Sequence, residues 1–355
     1  MVCRTRLPGV LLIGAIVLSQ LGTLRAGRYT IDPTNGLAFM EPWVDLEPEE
    51  RDTLSKRGVI VRSLPASDQQ ISVIAVCPIA LSPEAFLARV RSPGYVNRRE
   101  LKGGRFGNPP SSGDLARLSL DPGDIDRLKR CVSGDCALNL ADSEMSALQA
   151  VLNSPPRGQS TDVHQAFRQV VLNRLRQYQA GGLAAVPDYH DREDPVRPAA
   201  VFSEILRQTP YLKAHLPRVL AYLQQFPSGE TRHGDSSMLW SKMMMNGKAV
   251  VMVTHLTVFR PVPTPLVPAV VLAGKQVYAS RYMNGDLRLT MLFADGAGTS
   301  SYLVHVNRSH LDELNGRFSG IKRAALEGPI KAEAAEALAQ LRDRLERDVP
   351  PARRR

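Results

Sequence analysis

The last third of the chain restricts the fold most. Four runs, "KAVVMVTHLTVF" (248–259), "AVVLAGKQVYASRY" (269–282), "DLRLTMLF" (286–293) and "SYLVHV" (301–306), are rich in β-branched and apolar residues. Between them lie a proline-rich loop (261–268), "MNGD" (283–286) and "DGAGTS" (295–300). Asn284-Gly285 is a strong hairpin signal. The spacing predicts an antiparallel meander, with "SSMLWSKMMMNGK" (236–248) adding a strand before it. Residues 329–348 then predict a helix, in which Ala334, Leu338, Leu341 and Leu345 form one apolar stripe. A meander followed by an amphipathic helix implies an α+β fold.

The first half adds a strand pair and a helical block. "VIVRSL" (59–64) and "ISVIAVCPIAL" (71–81) read as two strands joined by a turn, after a short helix over 47–58. Ser82-Pro83-Glu84 opens a helix that puts Phe86, Leu87 and Val90 on one side. Further helices are predicted at 121–130, 141–152, 198–208 and 211–225. The clearest starts at Asp162, with Gln165 completing a capping-box pattern, and ends at Gly181-Gly182. Its stripe is Val163, Phe167, Val171, Leu175 and Tyr178.

The N-terminus has the grammar of a secretory signal peptide over 1–26. Arg4 and Arg6 precede an apolar run from Val10 to Leu18, and Leu24-Arg25-Ala26 is an acceptable cleavage site. We therefore expect an exported protein, periplasmic or secreted, with one domain over 27–348, a helical insertion at about 94–235 and a basic tail at 349–355. The formal charge is +10, and +7 once Arg4, Arg6 and Arg25 are removed, which weakly favours anionic partners. No nucleic-acid motif is present. Arg89, Arg91, Arg98, Arg99, Lys102 and Arg105 make 89–105 a basic segment, either a solvated face or a peripheral contact with the envelope.

An oxidising compartment decides how "CVSGDC" (131–136) is read. Zinc would need two further ligands nearby, and a redox motif has two intervening residues rather than four. Ser133-Gly134-Asp135 is turn chemistry, so the expectation is a structural disulfide Cys131–Cys136, with Cys77 a buried free thiol in a strand. "DYHDRED" (188–194) collects acids around His190 without a recognised ligand spacing, and no cofactor or metal site is expected. "GGRFGNPPSSGD" (103–114) lacks the Gly-Lys-Ser/Thr of a phosphate loop, and there is no G-x-S-x-G or H-E-x-x-H. Candidate pocket residues are Trp240, His255, Tyr278, Tyr282 and Tyr302, since aromatics with a polar tip suit the mouth of an apolar cavity. Arg281 and Arg308 could meet an anionic headgroup there. Strand parity puts Tyr278 and Tyr282 on one face and Arg281 on the other, unless a bulge intervenes.

The order of strand pair, early helix, middle helices, meander and long last helix resembles the START-like superfamily, the helix-grip fold of birch-allergen-like proteins and polyketide cyclases. The resemblance rests on "ISVIAVCPIALSPEAFLARVRSP" (71–93) and on 249–348. It implies an antiparallel sheet wrapping the last helix, with an apolar ligand between the two. That superfamily has no universal catalytic motif, so no residue role follows from matching. The expectation is a non-catalytic, exported binder of a lipid or other apolar ligand. The alternatives are an envelope interaction module without a ligand, and a cyclase- or hydrolase-like enzyme using the same cavity.

Overall fold

The computed structural model describes residues 46–67, 69–91, 102–153, 162–228, 235–294, 300–314 and 319–347. The expected leader (1–26), the basic tail and Arg98 and Arg99 lie outside them. The chain forms an α+β fold in the helix-grip arrangement. Its strands are β1 (Ile60–Ser63), β2 (Gln70–Ile79), β3 (Lys102–Arg105), β4 (Asp235–Met245), β5 (Lys248–Phe259), β6 (Val270–Ala279), β7 (Met283–Ala294) and β8 (Ser301–Leu311). They make one antiparallel sheet in the order β1-β2-β8-β7-β6-β5-β4-β3. All ten residues of β2 are buried, as expected of a strand covered on both faces. Pro78 is tolerated in it because β1 pairs only as far as Val76, so β2 has one hydrogen-bonded neighbour there.

Strand alternation sorts the two faces. After a first helix α1 (Pro48–Ser55), Ile71, Val73, Ala75, Cys77 and Ile79 of β2 face α2 (Pro83–Val90) and the C-terminal helix α9 (Ser319–Arg347). Ser82 caps α2 by accepting from Ala85 N, and Phe86, Leu87 and Val90 are buried as the pattern requires. Ile74 and Val76 face the other way, toward the helices between α2 and β4. These are α3 (Pro122–Leu128), α4 (Asp142–Asn153), α5 (Val163–Gly181), α6 (Pro198–Arg207), α7 (Pro210–His215) and α8 (Pro217–Gln225). The whole predicted stripe of α5 is buried.

Three predicted details differ. Helix α9 starts at Ser319, ten residues before Pro329, and runs through that proline; burial of Leu326 and Ile330 on either side offsets the lost backbone bond. The helix expected over 211–225 is broken at Leu216, whose ψ of 51° is not helical because Pro217 follows it. The hairpin assigned to Asn284-Gly285 joins β6 to β7 as expected, but the chain turns earlier, over residues 280–282, where Tyr282 has φ 67°; another Asn-Gly pair, Asn246-Gly247 with φ 48° and 71°, closes β4 onto β5. Asn284 and Gly285 lie inside β7 instead, beside a bulge. A Cβ on Gly285 would stand 2.8 Å from Val201 Cγ1, so this glycine admits α6 to the sheet.

Candidate functional site

A pocket of about 630 Å³ opens on the face opposite α9. Its floor is Leu289 and Met291 of β7 with Val306 and Arg308 of β8. Its walls are the β1–β2 loop, Leu64 to Ser67, and the α6–α7 corner, Arg207 to Tyr211. The corner explains the space. Pro210 cannot continue α6, so the chain turns at Thr209 and restarts, leaving the central strands uncovered beneath it.

Arg308 is the unusual lining residue. It is 4% exposed, and burial pushes its pKa down to about 10. Its Nη1 donates to Gln70 Oε1 at 3.4 Å and Gln208 Oε1 at 3.2 Å. Gln208 is held in place because its Oε1 also accepts from Ser67 N and its Nε2 donates to Glu204. Among the described residues no carboxylate pairs with Arg308. Its Nε and the Nε2 of Gln70 are buried donors without an acceptor among the described residues, a costly arrangement unless something else accepts from them. Arg281, its expected companion, is elsewhere: it is buried and its Nη2 donates to Asp124 Oδ1 at 2.5 Å.

None of the five aromatic and histidine candidates lines this pocket. Trp240 is buried and its Nε1 donates to Asp114 O at 2.9 Å. Tyr278 is core, 5.1 Å beneath the Arg174 guanidinium and edge-on to Tyr189. Tyr302 is buried on the same face. Tyr282 packs on the α9 face, so it and Tyr278 fall on opposite sides. Strand parity fails there because β6 ends at Ala279 and Tyr282 sits in a left-handed turn, φ 67°. The space expected beneath α9 is occupied by Leu326, Ile330, Ala334, Leu338, Leu341 and Leu345, all buried.

His255 is a hub rather than a pocket wall. The Tyr178 hydroxyl lies 2.7 Å from Nδ1 and the Ser236 hydroxyl 2.7 Å from Nε2, with Tyr222 and Thr257 hydroxyls each 3.2 Å from Nε2. Burial, and then the Lys275 charge, pushes its pKa down to about 3. The ring is therefore neutral at neutral pH, donating from one nitrogen and accepting at the other. His305 on the α9 face has Thr290 Oγ1 2.9 Å from Nδ1, and burial, then Arg288, also brings its pKa to about 3.

Cys131 and Cys136 form a disulfide with Cα atoms 4.5 Å apart, and Cys77 is a buried free thiol. The closed turn docks on the acidic segment: Gly134 N donates to His190 O and Cys136 N to Asp191 O. Within the segment, His190 pairs with Asp142, Asp191 with Arg192 and Asp188 with Arg197. No cluster of three metal-ligating residues occurs among the described residues. In the basic segment, Arg91 pairs with Asp235, Arg105 donates to Ser237 and Arg89 Nη1 donates to Leu345 O at 2.6 Å. Among the described residues no helix is long and apolar enough to cross a membrane.

Sequence reasoning named Arg308 but not its pocket. The available signal was Thr209-Pro210, a helix restart between two amphipathic helices, which marks a gap in helical cover. No family model, curated protein or solved structure matches the chain.

Proposed function

We propose that the protein binds an amphipathic anionic ligand, a carboxylate or phosphate group on an apolar tail, and does no chemistry on it. The observation that carries this reading is Arg308, a buried guanidinium with no carboxylate partner among the described residues, on the floor of an otherwise mostly apolar pocket. An anion there would accept from the unfilled donors of Arg308 and Gln70. The tail would cover Leu289, Met291 and Val306, gaining about 25 cal/mol per Å² of apolar area removed from water. Export to the periplasm or beyond belongs to the same proposal, supported by the leader-like 1–26 and the disulfide.

Kinship with the START-like superfamily is also proposed. Its support is topological: β2 lies beside β8, the meander runs from β4 to β8, and α9 follows. The departure is the side of the sheet, since that superfamily holds its ligand against the last helix and this pocket lies on the other face. A hydrolase reading would rest on Ser236 Oγ, 2.7 Å from His255 Nε2. A histidine held at about 3 is a poor base for that hydroxyl, so binding is preferred.

The test compares dodecanoate with dodecanol by calorimetry and native mass spectrometry on the full chain. Dodecanoate should bind roughly 10- to 100-fold more tightly, the worth of one charge-assisted hydrogen bond, and Val306→Trp should abolish binding of both. Equal affinities would remove the role given to Arg308, and no binding of either would overturn the reading.

A further inference from the structure

A second buried cation opens on a second pocket. Lys275 is 3% exposed, on β6. Its Nζ donates to Leu223 O at 2.9 Å, and lies 4.5 Å from the centre of the Phe202 ring and 5.3 Å from that of Tyr178. Among the described residues no carboxylate pairs with it. Every element packed on it offers a neutral group: Tyr178 from α5, Phe202 from α6, the Leu223 carbonyl from α8 and neutral His255 from β5.

Among the described residues, Lys275 is the one charged residue lining a pocket of about 540 Å³. The other walls are the end of α5 with Gly181 and Gly182, the α6 face with Ser203, and the end of α8 with Gln224 and Phe226. Gly182 has φ 69°, and a Cβ there would stand 2.4 Å from Phe226 O, so the two walls meet as closely as backbone allows.

We propose that Lys275 is a reactive amine at the end of this pocket, which captures a small carbonyl compound as a Schiff base. The Nζ lone pair adds to the carbonyl carbon. The carbonyl oxygen then leaves as water, taking both hydrogens of the neutral amine, and C=N replaces C=O. No oxidant or reductant takes part. Burial among aromatic faces brings the lysine pKa down to about 7, which leaves a large fraction of the amine unprotonated at neutral pH. Gln224 and Ser203 add hydrogen-bonding groups to the walls, which suits a short polar aldehyde or ketone better than a long chain.

The test treats the full chain at pH 7 with propanal and sodium cyanoborohydride, which fixes an imine as a propyl amine, and maps the labelled lysines by peptide mass. Lys275 should reach half-labelling at a propanal concentration roughly ten-fold or more below that needed for the exposed Lys56, Lys129 and Lys213. Labelling of Lys275 no earlier than those three, or only after unfolding in urea, would overturn the proposal. Because the reading is made on the unmodified chain, it does not depend on a variant that folds. Lys275→Arg adds a check: the charge stays and the early adduct should vanish.

Discussion

Beneath α9 the sheet carries a polar row, Asp286, Arg288 and Thr290 on β7 with His305, Asn307 and Ser309 on β8. Asn307 Nδ2 and Ser309 Oγ both donate to Asp286 Oδ1, at 2.7 and 2.6 Å, and Arg288 Nε lies 2.7 Å from Asp286 Oδ2. On the opposite face, Arg308 and Lys275 are just as deeply buried and meet no carboxylate among the described residues. The helical block over that face does pair its other buried cations: Arg174 with Glu144 and Arg281 with Asp124. Burial of charge is thus not tolerated at random. Among the described residues that are buried, the paired cations Arg174 and Arg281 lie inside packed regions, and the two without a carboxylate, Arg308 and Lys275, each line a pocket. The contrast teaches where to look for ligands, because an unpaired buried charge costs stability that a structural role would have removed.

The largest expected effect comes from unpairing a paired cation. Arg174 is fully buried and its Nε and Nη2 donate to both Glu144 oxygens at 2.8 and 2.6 Å. Glu144→Ala should cost about 3–5 kcal/mol in urea unfolding, because the guanidinium stays buried beside Tyr189 and Tyr278. A loss below about 1 kcal/mol would dissolve the distinction between paired and unpaired cations. Next comes packing beneath α9. Leu338→Ala should cost about 2–5 kcal/mol, as for a filled core. A much smaller loss would mean that this face holds space, and would move the ligand question back under the last helix.

A third prediction uses one histidine from each face. Both His255 and His305 have folded pKa values near 3, below the ordinary unfolded value near 6.5. The unfolded chain therefore binds more protons between those limits. Stability is complete above about pH 6.5 and falls as pH drops toward 3, by up to about 1.4 kcal/mol per pH unit for each histidine. Urea titrations between pH 6.5 and 5, above most carboxylate titration, should show this slope, and His305→Asn should reduce it. A flat profile would mean that the rings titrate normally and are reached by water.

Much of the architecture was legible because it depends on period and punctuation. The stripes of α2, α5 and α9 and the alternation of the late strands each have one face to bury, so composition at the right spacing defines them. The disulfide was legible for a similar local reason, since its loop is a turn. What failed was whatever depends on distant contacts. Asn284-Gly285 reads as a hairpin locally, yet Gly285 is needed where α6 crosses the sheet, and the chain turns from β6 to β7 before it, over residues 280–282. Tyr278 and Tyr282 look like a matched pair by parity, yet a turn separates them onto two faces. The candidate site suffered most. Its walls come from Ser67, Gln208 and Arg308, which lie far apart in the chain, and nothing local in any of them says pocket.

The smallest stability effect is the most diagnostic. Arg308→Met keeps most of the side-chain volume and removes a buried charge that no carboxylate balances among the described residues. Its partners are two glutamine oxygens at 3.2 and 3.4 Å, long for charge-assisted bonds. Losing them costs little, and removing the desolvated guanidinium returns something. The variant should therefore unfold within about 1 kcal/mol of the parent, on the stabilised side if either, while dodecanoate affinity falls roughly 10- to 100-fold. A residue kept for the fold gives the opposite signature, a stability loss like that of Glu144→Ala. If Arg308→Met cost more than about 3 kcal/mol, Arg308 would belong with Arg174 as a structural cation, and an unpaired charge would no longer point to a ligand in this molecule.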